Sequence, residues 1–219
     1  MTPRLKICGI TDATFAAEAA KRGVDYVGVV FAAASPRRVS VETARSIAAS
    51  ARAASGRRQP PKVVGVFVGG TVDSISKVAK SVPLDVVQLH GGQSHGASAA
   101  LKDAGFEVWQ LADGSDMDDA ADAVLLDGRD GGRTGGTGRL ADWTYVEEFK
   151  RLGRRVVLAG GISADNVLAA ASTGADVLDV NSSIETSPGV KSLEKLEEML
   201  FAFARISEAD VPELDSSAF

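Results

Sequence analysis

Leu5-Lys6-Ile7-Cys8-Gly9-Ile10-Thr11 is the stretch that decides between two folds. Its first four residues read as a short buried strand, Gly9 as a turn, and Thr11-Asp12 as the cap of a helix opening at Ala13. A strand feeding a helix in this way begins either a closed (β/α)8 barrel or an open doubly wound sheet. The first turn of a dinucleotide-binding open sheet carries the fingerprint G-x-G-x-x-G, and Cys8-Gly9-Ile10-Thr11 does not. The expected fold is therefore α/β, a single (β/α)8 TIM barrel.

The rest of the chain repeats the same alternation. Strand-like runs fall at Leu5–Cys8, Tyr26–Phe31, Val63–Val68, Asp85–Leu89, Glu107–Leu111, Ala123–Asp127, Arg155–Ala159 and Val177–Asn181. Each is rich in Val, Ile or Leu, and Val63–Val68 is apolar on both faces, as a parallel strand covered by helices must be. Between them lie alanine-rich amphipathic stretches, among them Ala13–Lys21, Val41–Arg52, Val72–Lys80 and Ala164–Ser172, with a last one at Leu193–Ile206. Asp12, Ser40 and Ser163 read as helix starts, and Gly23, Gly105, Gly153 and Gly174 as helix ends. Eight strands and about eight helices follow, in one domain over residues 1–206, with an acidic, aperiodic tail over 207–219.

Composition narrows the function classes. The net charge is -5, with 29 acids against 24 bases, which leaves no electrostatic footprint for nucleic acid. The apolar runs are strand-length, so no membrane span is expected, and the first residues hold too few apolar side chains for a signal peptide. A single cysteine without such a signal points to a reducing cytoplasm. Two histidines and one cysteine in separate elements give no metal-ligand spacing.

Functional groups of such a barrel come from the C-terminal ends of strands and the loops behind them. Those positions offer Cys8, Arg37, His90, Asp127, the loop Gly135-Gly136-Thr137-Gly138, Gly160-Gly161 and Asn181-Ser182-Ser183. Cys8 alone reads as packing more readily than as a base, because free cysteine usually behaves as a small buried hydrophobe. Asp127 closes an apolar strand, either as a turn residue or as a general acid facing the mouth. Cys8 and Asp127 would then face one another from strands 1 and 6, the arrangement a proton-shuttling isomerase requires. The glycine clusters and Ser182-Ser183 suit a phosphate at the loops after strands 7 and 8, although tight turns alone explain a Gly-Gly pair. Arg37 fits a carboxylate or plain solvation, and His90 a donor role or, the favoured reading, packing.

The motifs together carry a resemblance. Lys6-Ile7-Cys8-Gly9-Ile10-Thr11, Gly65-Val66-Phe67-Val68, Val87-Gln88-Leu89-His90-Gly91 and Leu125-Leu126-Asp127 resemble the phosphoribosylanthranilate isomerase family of tryptophan biosynthesis. So do Gly135–Gly138, Asp142-Trp143, Leu158–Ile162, Asp179–Ser182 and Ser187–Lys191, in family order over nearly the whole chain. The resemblance implies an Amadori rearrangement of N-(5-phosphoribosyl)anthranilate to 1-(2-carboxyphenylamino)-1-deoxyribulose 5-phosphate, without cofactor or metal. It makes Cys8 the base, as a thiolate of lowered pKa, and Asp127 the acid. It gives Arg37 the substrate carboxylate, and Gly136, Thr137, Gly138, Gly160, Gly161, Ser182 and Ser183 the phosphate.

Departures from the family pattern are Ser183 for glycine, Gln110 for lysine, and the insertion-like stretch Arg129–Arg133. The partner expected is a small phosphorylated substrate, with monomer and homodimer equally compatible. Rival barrel enzymes fit less well: sugar-phosphate epimerases need metal-binding histidines, and dual-substrate aminoaldose isomerases need an aspartate where this chain has Cys8. A non-catalytic metabolite-binding barrel is the alternative from another class.

Overall fold

The computed structural model describes residues 2–54, 59–112, 119–128 and 143–209. Eight parallel strands form a closed barrel: β1 (Arg4–Ile7), β2 (Tyr26–Val30), β3 (Lys62–Phe67), β4 (Val86–Leu89), β5 (Glu107–Leu111), β6 (Ala123–Asp127), β7 (Val156–Ala159) and β8 (Val177–Val180). β8 returns to β1 in the register Lys6 to Asp179 and Ile7 to Val180. Around it lie α1 (Ala13–Lys21), α2 (Val41–Ala54), α3 (Val72–Ser81), α4 (Ala97–Asp103), α5 (Thr144–Arg151), α6 (Val167–Ser172) and α7 (Leu193–Ala209). Among the described residues none of these is long and apolar enough to cross a membrane.

The barrel matches the expected one, and seven α-helices lie among the described residues; three local differences stand out. Helix α6 begins at Val167, not Ala164, because the Asn166 side chain accepts from the Ser163 N–H (2.8 Å) and closes a turn first. After β8 comes a 3-10 turn, Ser182–Ile184, and then a small antiparallel hairpin, β9 (Glu185–Ser187) and β10 (Val190–Lys191), which the sequence reading did not anticipate. Helix α7 reaches Ala209, three residues past the end expected for the domain; the rest of the tail lies outside the described residues.

Burial follows the alternation of strand side chains. In β1, Leu5 and Ile7 join the layer between sheet and helices, while Cys8 packs inside the barrel with Val30 and Val66. Tyr26, Val64, Val86, Trp109, Leu125 and Val157 belong to a separate buried cluster filling the interior. Helices α1 and α2 bury mainly alanines, Ala16, Ala19 and Ala20 on one and Ala44, Ala48 and Ala51 on the other, so they lie close.

A fourfold device ties the N-terminal rim. Asp25, Asp85, Asp122 and Asp176 stand just before the even-numbered strands. Their carboxylates accept from the N–H of Leu5 (2.9 Å), Val63 (2.7 Å), Val108 (2.8 Å) and Val156 (2.7 Å) on the preceding odd-numbered strands. The backbone N–H of each aspartate donates to the carbonyl of the same residue. Each βαβ pair is thus stapled twice at its base. Beside the staples, Glu107 accepts from Arg155 (2.6 Å), Lys62 (2.6 Å) and the Trp109 indole (2.8 Å), and Arg155 also donates to the Tyr26 hydroxyl (2.7 Å).

Candidate active site

The opposite, C-terminal rim is open. A cavity of about 270 Å³ sits there, and Cys8, Arg37, His90, Asp127, Gly160, Gly161 and Ser182 are among the residues lining it. Seven of the sequence-derived site residues therefore meet in one place. Strand geometry explains why: Cys8 follows β1 directly and its N–H still bonds the Val180 carbonyl (2.8 Å), while Asp127 is the last residue of β6. The two strands stand three places apart around the ring.

His90 is not simply a packing residue, the role the sequence favoured for it. It follows β4, lines the cavity, and holds Nε2 3.7 Å from Asp127 Oδ2. Gly160 serves Asp127 in another way. Its φ is +87°, and a Cβ built there would fall 2.3 Å from the Gly128 nitrogen and 2.8 Å from Asp127 Oδ1. Only glycine leaves the carboxyl its room.

Arg37 is committed before any ligand arrives. Its Nε and Nη2 donate to Glu185 Oε1 (2.8 Å) and Oε2 (2.6 Å), a bidentate pair that holds one edge of the guanidinium. Nη1 and the remaining Nη2 hydrogen form the end-on edge, a second fork for a carboxylate. Lys191 Nζ donates to Glu185 Oε1 (3.0 Å) and to both the carbonyl and Oδ1 of Asn181, and the Gly189 N–H adds a fourth bond to Glu185. Burial alone would raise the Glu185 carboxyl, but its bonds to Arg37 and Lys191 win and hold it at about 2.

Lys6, Gln88 and Asp179 lie beneath the mouth, all but shut off from solvent. Lys6 Nζ donates to Asp179 Oδ2 at 2.5 Å and to Gln88 Oε1 at 2.7 Å. Asp179 Oδ1 is buried with no hydrogen-bond partner among the described residues, and Asp179 and Gln88 both line the cavity. Burial and the charge of Asp179 push the Cys8 thiol up, and Lys6 and Lys191 only partly oppose them.

The sequence from residue 5 to 202 matches the family profile described as N-(5'-phosphoribosyl)anthranilate isomerase. The chain belongs to that family. The N-(5'-phosphoribosyl)anthranilate isomerase of Pseudomonas putida KT2440 is 36% identical over 208 residues, covering 91% of this chain and 96% of its own length. Among solved structures, the phosphoribosyl anthranilate isomerase of Thermus thermophilus superposes with a TM-score of 0.77 at 31% identity, over 93% of this chain and 99% of that one. Another isomerase of the family, solved with reduced 1-(o-carboxyphenylamino)-1-deoxyribulose 5-phosphate, gives a TM-score of 0.75 at 29% identity over the same shares of the two chains.

Some expectations drawn from the isomerase family do not carry over unchanged. The thiol of Cys8 is raised, not lowered, because it is buried beside Asp179. Ser183 is outside the cavity lining, and its Oγ is buried without a partner among the described residues. Gly136, Thr137 and Gly138 lie outside the described residues. Gln110 accepts from Ser98 on α4 (2.8 Å), which occupies it on the helix side of the sheet. Lys6, Asp179, Glu185 and Lys191 were missed as site residues. A lysine between Leu5 and Ile7, and an aspartate between Leu178 and Val180, each face the barrel interior, and an interior charge demands a partner.

Proposed function

We propose that this chain converts N-(5-phosphoribosyl)anthranilate to 1-(2-carboxyphenylamino)-1-deoxyribulose 5-phosphate, a step of tryptophan synthesis, with Cys8 as general base and Asp127 as general acid. The observation that carries the assignment is one cavity bordered by both groups, in a chain of the isomerase family. Asp127 protonates the furanose ring oxygen, the C1–O bond breaks, and the anilino nitrogen lone pair forms an iminium. The Cys8 thiolate removes the proton from C2, giving an enolamine that tautomerises to the ketone. His90, beside Asp127, steadies the carboxyl as its proton leaves and returns. The free edge of Arg37 takes the anthranilate carboxylate. Gly160-Gly161 and Ser182, with Gly136–Gly138, take the phosphate. A base that must stay a free thiol suits a reducing cytoplasm.

The decay of fluorescence of freshly prepared phosphoribosylanthranilate tests this. Wild-type protein accelerates the decay, and Asp127→Asn reduces the acceleration by at least ~10²-fold, as loss of one acid–base group does. Folded wild-type protein that leaves the decay unchanged would instead identify a metabolite-binding barrel.

A further inference from the structure

A base made of a buried, raised thiol needs a counter-charge, and the structure holds one directly beneath it. Side chains alternate along β1, so Lys6 and Cys8 both point into the barrel, one layer apart. Gly28 on β2 provides the space they share: a Cβ there would lie 3.1 Å from Cys8 Sγ and 3.2 Å from Lys6 Cε. Of the three N–H groups of the Lys6 ammonium, Asp179 and Gln88 take two.

We propose that Lys6 is the positioning residue for the Cys8 base, its buried ammonium serving as the fixed counter-charge of the thiolate, with Asp179 opposing it. The proposal rests on reading Cys8 as the base, and it assigns a role to an ion pair that stability alone does not call for. A buried ion pair roughly breaks even against apolar side chains of the same volume. At the N-terminal rim the charges are at least partly solvated; here Lys6 is wholly buried. Burial works against the Lys6 charge, but Asp179 and Cys8 together outweigh it and keep the ammonium protonated. The other charges facing this group are Lys191 on β10 and Arg37 after β2, which act on Cys8, and Asp127 on β6, which acts on Asp179. Asp179 and Lys6 thus pull the thiol in opposite directions, a sign difference that a packing role does not produce.

Cys8 is the only cysteine of the chain, so the pH dependence of iodoacetamide alkylation of the whole protein reads this sulfur alone. That readout needs no substrate. In Asp179→Asn, which keeps an oxygen to accept from Lys6, the alkylation midpoint falls by about one pH unit or more, tenfold in thiolate at a fixed pH. In Lys6→Gln it rises by about as much, and the rising limb of kcat against pH moves with it. An unmoved or higher midpoint in Asp179→Asn overturns the proposal, whether or not Lys6→Gln folds. Midpoints that move as stated in a protein that leaves phosphoribosylanthranilate untouched would instead retire the isomerase reading and keep only the opposed action of Lys6 and Asp179 on the thiol.

Discussion

The two ends of one barrel treat polar groups in opposite ways. At the N-terminal rim each aspartate staple both gives and receives a bond, and Glu107 accepts from three donors. At the C-terminal rim valences are left over among the described residues: Asp179 Oδ1 and Ser183 Oγ are buried with no partner, and Glu185 takes only one edge of Arg37. An unsatisfied buried group costs free energy, so the molecule spends at its mouth what it saves at its base. A barrel separates stability from chemistry because both rims draw on the same strands but on different ends of them.

The sharpest way to break this comparison is to remove a group from the mouth and watch stability. Cys8→Ala should cost ~10²–10⁴-fold in kcat, the range of one acid–base group. Its Tm should stay near that of wild type, because alanine replaces a small buried side chain that Val30 and Val66 surround. Steady-state kinetics beside a thermal melt measures both. A melt that falls with activity would make Cys8 a packing residue after all.

Acid should weaken the mouth through Glu185. The Glu185 carboxyl is depressed from 4.5 to about 2 in the fold, so its contribution is whole above pH 4.5 and vanishes as pH falls through about 2. The full span is worth about 3 kcal/mol. Denaturant unfolding followed from pH 5 to pH 2 should show that loss in wild type. Glu185→Gln should start less stable at pH 5 and lose less on the way down, with KM raised as Arg37 loses its anchor. Equal slopes in the two proteins would mean that other carboxyls carry the acid sensitivity.

Far more of the fold than of the site was legible in the sequence, and the physics explains the gap. Buried parallel strands such as Val63–Val68 and capped, alanine-rich helices such as Ala13–Lys21 announce themselves locally, so the barrel and the strand ends could be read off. Cys8 and Asp127 stood out because chemistry at a strand end is a one-dimensional signal. Lys6 and Asp179 are 173 positions apart and meet only because β8 closes on β1. Glu185 was hidden for a related reason: its partner Arg37 is 148 positions away in the chain, and the hairpin that presents it is too short to show a period. The aspartate staples were legible in principle. Val24-Asp25, Leu84-Asp85, Ala121-Asp122 and Ala175-Asp176 each precede a strand, and the repeat is visible once every second strand is aligned.

At the base, the comparison predicts the reverse of Cys8→Ala. Asp122→Ala removes the acceptor of the Val108 N–H and leaves that buried donor unpaired. The cost should be about 1–3 kcal/mol, with kcat unchanged. Urea unfolding and kinetics together check it, and a fall in kcat at unchanged stability would dissolve the division between the two rims.

The smallest effect is the most telling about the mouth. Ser183 Oγ has no protein partner among the described residues, so Ser183→Ala removes a group that is already unsatisfied. Unlike Asp122→Ala, it strands nothing behind it, and stability should hold or rise by less than about 1 kcal/mol. If the hydroxyl waits for phosphate, inhibition by inorganic phosphate should weaken severalfold in the same variant. The neighbouring Ser182, which does line the cavity, provides the control: Ser182→Ala should weaken that inhibition at least as much. A Tm that drops in Ser183→Ala would show that the hydroxyl has found a partner in the protein, and the phosphate turn would then rest on Ser182 and Gly160-Gly161 without it.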